Sequence, residues 1–112
     1  MSRHLAGLRA WLWQRLSALY LAVYLLLFLL HMLTDAPGSY SEWRASLSDP
    51  WVALAMILFF MALLMHAWVG IRDVIIDYVQ WSALRLIMLA LTGLGLLACG
   101  LWVLDILLAV MK

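Results

Sequence analysis

Residues 50–71 read PWVALAMILFFMALLMHAWVGI, twenty-two consecutive positions without Asp, Glu, Lys or Arg. At ~1.5 Å of rise per residue a helix of this length reaches ~33 Å, enough to cross a hydrocarbon core of roughly 30 Å. No water is available there to satisfy backbone N–H and C=O groups, so the run is predicted to be helical. Two more such runs flank it: nineteen residues between Arg15 and Asp35, and nineteen between Arg85 and Asp105. Burial inside a water-soluble protein is a poor alternative. The chain is 69% hydrophobic and 12% charged, with mean hydropathy +1.07, so few polar residues remain to build an outer surface. The 112 residues are therefore expected to form one all-α integral membrane domain over 1–112 with three transmembrane helices, at about 14–34, 50–78 and 83–109.

A formal charge of +1 offers nucleic acid no bulk attraction, so the placement of the few charges matters more than their sum. Arg3, Arg9 and Arg15 precede the first span, whereas the first loop carries Asp35, Glu42 and Asp49 against Arg44 alone. The positive-inside bias predicts a cytoplasmic N-terminus, a second loop that returns to the cytoplasm with Arg72 and Arg85, and an outward-facing tail ending at Lys112. Trp11, Trp13, Trp43, Trp51, Trp81 and Trp102 lie near the predicted span ends, where an indole anchors in the headgroup layer. Pro37-Gly38 signals a turn, and Asp49-Pro50 suits an N-cap followed by the first helical residue. The first apolar run is long enough to span and lacks a small-residue cleavage site after it, which predicts no removable leader. There is no internal repeat or low-complexity tract.

Cys99, the single cysteine, excludes an internal disulfide, a paired-cysteine zinc site, an all-cysteine iron–sulfur cluster and covalent haem attachment. A cofactor would have to be held by other groups, and His66 stands out as the ionisable residue inside the second span. On a continuous helix Ala55, Ala62, Gly70, Asp73 and Asp77 fall within about 40° of it. Small side chains beside the ring would admit either a neighbouring helix or a flat macrocycle. Spacing leaves both roles open for the imidazole: an axial ligand to haem iron, or a hydrogen bond across a helix interface.

Arg15 closes the cytoplasmic end of the first span on the same side as His66, where a haem propionate would want a cation; snorkelling to headgroups is its other role. The chain is not expected to ligate both faces of one haem. His31 lies sixteen residues beyond Arg15, ~24 Å deep, whereas His66 lies six residues from Arg72, ~9 Å deep. A second ligand would come from another polypeptide, with His31 at the outer interface and His4 in a terminal segment expected to fray. Asp73, Asp77 and Tyr78 follow on the cytoplasmic side; a phenol there can donate to a quinone carbonyl, and a carboxylate can orient it or exchange protons. Both are also ordinary interface residues. In the third span Met88, Thr92, Gly95 and Cys99 share a stripe that reads as helix packing, with Gly93 and Gly100 close by, and Asp105 marks the outer boundary or meets a partner.

The segments His66-Ala67-Trp68-Val69-Gly70, Asp77-Tyr78-Val79 and Ala83-Leu84-Arg85-Leu86 together resemble the small hydrophobic membrane anchor of bacterial succinate dehydrogenase. The likeness extends over nearly the whole chain and is sharpest from residue 66 to 86. It implies a heteromeric helical bundle with a partner anchor subunit, in a bacterial inner (cytoplasmic) membrane. It further implies that His66 is an axial ligand of a haem b whose iron takes its second ligand from that partner anchor, that Arg15 lies near the haem propionates, and that Tyr78 helps bind ubiquinone. Arg9 stands where some members carry a histidine, and would keep a propionate partner in changed form; Asp77 corresponds to the tyrosine's neighbour.

On this likeness succinate is oxidised in a separate flavoprotein subunit, and electrons reach ubiquinone through an iron–sulfur subunit at the membrane boundary. This chain would touch no succinate; it would tether those subunits, share the haem and form part of the quinone site. Two other functions compete. A haem-free structural anchor would use His66 as an interhelical hydrogen-bonder, and a small ion or proton translocator would use His66 and Asp77 as relays. The third span offers such a translocator little polar lining.

Overall fold

The computed structural model describes residues 2–112. They form three long helices and one short one: α1 (Ser2–Asp35), α2 (Tyr40–Ser46), α3 (Pro50–Tyr78) and α4 (Ser82–Met111). α1, α3 and α4 are each long and apolar enough to cross a membrane. The chain is a multi-pass membrane protein.

The helix ends follow from local chemistry. Asp49 caps α3 by accepting from the Trp51 N–H at 3.0 Å, and Pro50 occupies a first-turn position whose N–H would have had no helical partner. Ser39 caps α2 through the Glu42 N–H at 3.2 Å, while the Glu42 carboxylate reaches back to the Gly38 N–H at 2.5 Å, a variant of the capping box. α1 does not stop at the charge boundary. It continues through Arg15, Arg9 and His4 to Ser2, because no Pro intervenes and Arg, Leu and Ala all favour helix. Its 34 residues exceed what a bilayer core requires, so about 20 Å of helix precedes Arg15.

α3 packs against both α1 and α4, antiparallel to each, whereas α1 and α4 barely meet. Between α1 and α3, Tyr24 stacks on Phe59 with ring centroids 4.6 Å apart, and the Tyr20 hydroxyl donates to the Ala55 carbonyl at 2.7 Å. Between α3 and α4, Trp68 lies over Gly93 and Leu64 over Gly100: a Cβ at those glycines would come within 3.6 and 3.1 Å of the two side chains. The small-residue face of α4 that meets α3 is therefore the one carrying Gly93 and Gly100. Gly95 would meet nothing within 4 Å, and Cys99 is exposed. The bulky Leu64 and Trp68, one turn apart on α3, need grooves where α4 has no side chain, so the stripe of Met88, Thr92, Gly95 and Cys99 is not the one α3 uses.

At the α2 end of the bundle Arg44 donates from Nε to the Val110 carbonyl at 2.9 Å and from Nη2 to the Lys112 carbonyl. It thereby satisfies carbonyls that the last turn of α4 leaves without helical partners. At the opposite end α3 and α4 are joined by only Val79, Gln80 and Trp81. That turn is held by the Val79 N–H on the Ile75 carbonyl at 2.9 Å and by Arg85 Nε on the Val79 carbonyl at 3.0 Å.

Candidate functional site

The antiparallel pairing of α1 with α3 brings a row of polar groups on α1 against the face of α3 that carries His66. Gln14, Ser17, Tyr20 and Tyr24 lie within about 120° of one another around α1. Ser17 is the buried polar residue of this row, 6% exposed. Its Oγ donates to the Gln14 carbonyl at 3.0 Å and lies 3.2 Å from His66 Nδ1. One turn along α3, Gly70 faces the Gln14 side chain: a Cβ there would lie 3.4 Å from Gln14 Nε2, in ordinary van der Waals contact. The buried Gln14 Oε1 has no hydrogen-bond partner among the described residues.

Of the small residues flanking His66, Ala55 lies under Tyr20 and Gly70 under Gln14. Along this face the close neighbour is helix α1, one of the two occupants that the spacing left open. His66 itself is only half-buried, so α1 does not cover the ring. The cross-helix hydrogen bond uses Nδ1 alone and leaves Nε2 without an assigned partner among the described residues. The two roles weighed for His66 are thus compatible, one on each nitrogen.

Arg15 lies two residues from Ser17 along α1, ~3 Å in depth, and so stands at the level of His66. It points about 200° away from Ser17 around the helix, with its guanidinium 5.6 Å from the Trp11 ring centroid. Arg9 is exposed, six residues nearer the start of α1. His31 is fourteen residues beyond Ser17 on α1, ~21 Å away along the axis. It lines a cleft near α2 with Tyr24, Asp49 and Ala55. No group of three or more His, Cys, Asp and Glu side chains among the described residues could enclose a metal ion. His66 Nε2 is a single ring nitrogen, the kind of donor that fits an iron held otherwise by a macrocycle.

Asp73, Asp77 and Tyr78 are helical, since α3 continues without a break to Tyr78. Arg72 pairs with Asp73 at 3.0 Å, with both side chains partly in solvent, and such a pair contributes little. Asp77 and the 80% exposed Tyr78 are left facing outward. Asp77 is eleven residues from His66, ~16 Å along the helix. Asp105 is exposed beside Lys112 in a shallow depression at the other end.

A family model described as the succinate dehydrogenase/fumarate reductase transmembrane subunit matches residues 1–86, three quarters of the chain. The chain belongs to this family. It is also 30% identical over 101 residues to the succinate dehydrogenase hydrophobic membrane anchor subunit of Coxiella burnetii, covering 90% of this chain and 88% of that protein. The matched residues 1–86 hold both His66 and Ser17, and the Gln14–Ser17–His66 contacts link the first and second spans of this transmembrane subunit. Ser17 and Gln14 belong to no motif that sequence reasoning singles out. Their signal is nonetheless present: two polar side chains three residues apart at the start of a charge-free span, with Ser17 on the side of α1 opposite Arg15.

Proposed function

We propose that this chain is one of two membrane anchors of a succinate:ubiquinone oxidoreductase, with His66 as one axial ligand of a haem b. The observation that carries this is the state of the ring. It is half-buried within a span, level with Arg15, and among the described residues hydrogen-bonded through Nδ1 only. A neutral imidazole so held has one lone pair available for iron.

A second nitrogen ligand would then come from the partner anchor subunit, since His31 lies ~21 Å away in depth. Arg15, at the depth of His66 but on the side of α1 opposite Ser17, would neutralise a propionate that extends round α1 to it, and Arg9, six residues nearer the helix start, would offer a second cation. When bound, the haem supplies a centre that accepts and returns one electron at a time.

At the end of α3 the Tyr78 phenol would donate to a carbonyl of ubiquinone, and Asp77 beside it would orient that donor or pass a proton from water. Their exposure in the isolated chain suits a pocket completed by the iron–sulfur subunit, to which the flavoprotein is attached. The charge pattern supports an N-terminus in the cytoplasm of a bacterial inner membrane, which sets His66, Arg15 and Tyr78 on the side where soluble subunits and protons are available.

A haem-free anchor is the second reading, favoured by the Ser17–His66 bond, which alone would justify a histidine at a helix interface. Spectroscopy of the purified complex separates the two. The dithionite-reduced minus oxidised spectrum is expected to show a b-type haem that His66→Ala weakens or abolishes. Identical spectra for parent and variant would remove His66 as a ligand.

A further inference from the structure

We propose that Ser17 is a positioning residue for His66: its hydroxyl fixes the imidazole as the Nδ1–H tautomer and so reserves the Nε2 lone pair for iron. This rests on the haem ligation proposed above. The Ser17 hydroxyl has one proton and two neighbours within bonding distance, the Gln14 carbonyl at 3.0 Å and His66 Nδ1 at 3.2 Å. A carbonyl can only accept, whereas a ring nitrogen can donate or accept. Both contacts are hydrogen bonds in one arrangement: Ser17 Oγ–H donates to the Gln14 carbonyl, and His66 Nδ1–H donates to Ser17 Oγ. The other tautomer would set two lone pairs against each other, or pull the hydroxyl off the carbonyl. At 6% exposure Ser17 has little access to water as a substitute partner.

Three features of the chain hold the arrangement. Ser17 is three residues after Gln14, so its hydroxyl reaches the carbonyl of its own helix. The Gln14 side chain lies against Gly70 of α3, one turn from His66. Tyr20, one turn deeper, ties α1 to the Ala55 carbonyl of α3 at 2.7 Å and fixes the spacing of the two helices. The ring is thus oriented before any iron binds, and the second nitrogen's hydrogen bond sets which nitrogen is available.

The test uses the intact complex with its partner subunits, as parent, Ser17→Ala and Ser17→Thr, with assembly judged by co-purification. Ser17→Ala is expected to lower haem affinity ~10- to 100-fold, read as faster haem transfer to excess apomyoglobin. It should also change the low-spin g-values of the oxidised haem and raise its midpoint potential, because an imidazole that loses its acceptor donates less charge to iron. Ser17→Thr keeps the hydroxyl and should restore all three. Parent-like haem transfer, g-values and potential in Ser17→Ala would overturn the inference and leave the ligation reading intact. Failure of Ser17→Thr to restore them would also overturn it. A parent complex without a His66-dependent b-type haem would overturn the reading beneath it.

Discussion

Replacing His31 by Ala tests whether this chain ligates haem on one side only. Two axial nitrogens of one iron lie roughly 4 Å apart, each at a bond length of about 2 Å. His66 is level with Ser17 on α1, and His31 is fourteen residues further along that helix, ~21 Å at 1.5 Å per residue. The shortfall is ~17 Å, equal to about three helical turns, and a shared tilt of α1 and α3 moves both residues together without closing it. His31→Ala should therefore leave haem content, the reduced b-type band and the low-spin signal of the purified complex at parental levels. His66→Ala, measured beside it, should lose them. Haem content is assayed as the pyridine haemochrome per mole of complex, and ligation by low-temperature electron paramagnetic resonance. A His31→Ala complex depleted of haem to the same extent as His66→Ala would refute the depth reasoning and return the second ligand to this chain.

Two further outcomes are expected. Tyr78→Phe removes one exposed hydroxyl at the end of α3, so it should slow succinate-driven quinone reduction while leaving the yield of assembled complex unchanged; equal quinone-linked turnover in variant and parent would count against Tyr78 as the donor. Gly100→Val places a branched side chain where a Cβ alone would already stand 3.1 Å from Leu64 Cδ1, and overpacking of this kind costs ~1–3 kcal/mol; thermal denaturation of the complex in detergent should shift downward, and an unchanged transition would count against the close Leu64–Gly100 approach.

The spans were legible because charge-free runs of nineteen or more residues leave a chain few alternatives in solvent or in fold. Asp49-Pro50 was equally legible, since an N-cap carboxylate and a proline at the first helical position meet the same orphan N–H groups from two directions. The reach of α1 back to Ser2 was not, because Arg3, Arg9 and Arg15 mark where hydrocarbon ends and not where helical hydrogen bonding ends. α2 carried a readable Ser39-x-x-Glu42 signature that its short length obscured. On α4 the sequence showed small residues on more than one face. Only the positions of Leu64 and Trp68 decided that Gly93 and Gly100 are the inward pair. Within the site, His66 was visible as a lone ionisable group in a span, whereas Ser17 became meaningful only once α1 and α3 were aligned in depth.

The order of the helices gives α3 a status its neighbours lack. It alone touches both other spans, so it acts as the hub of a three-helix layer whose two outer members have almost nothing to say to each other. A kink introduced into α4 would leave the α1–α3 pair and its Ser17–His66 bond undisturbed, but the same kink in α3 would unseat two interfaces at once. Tolerance to helix-breaking substitutions should accordingly be lowest in the middle of the chain and rise toward both ends.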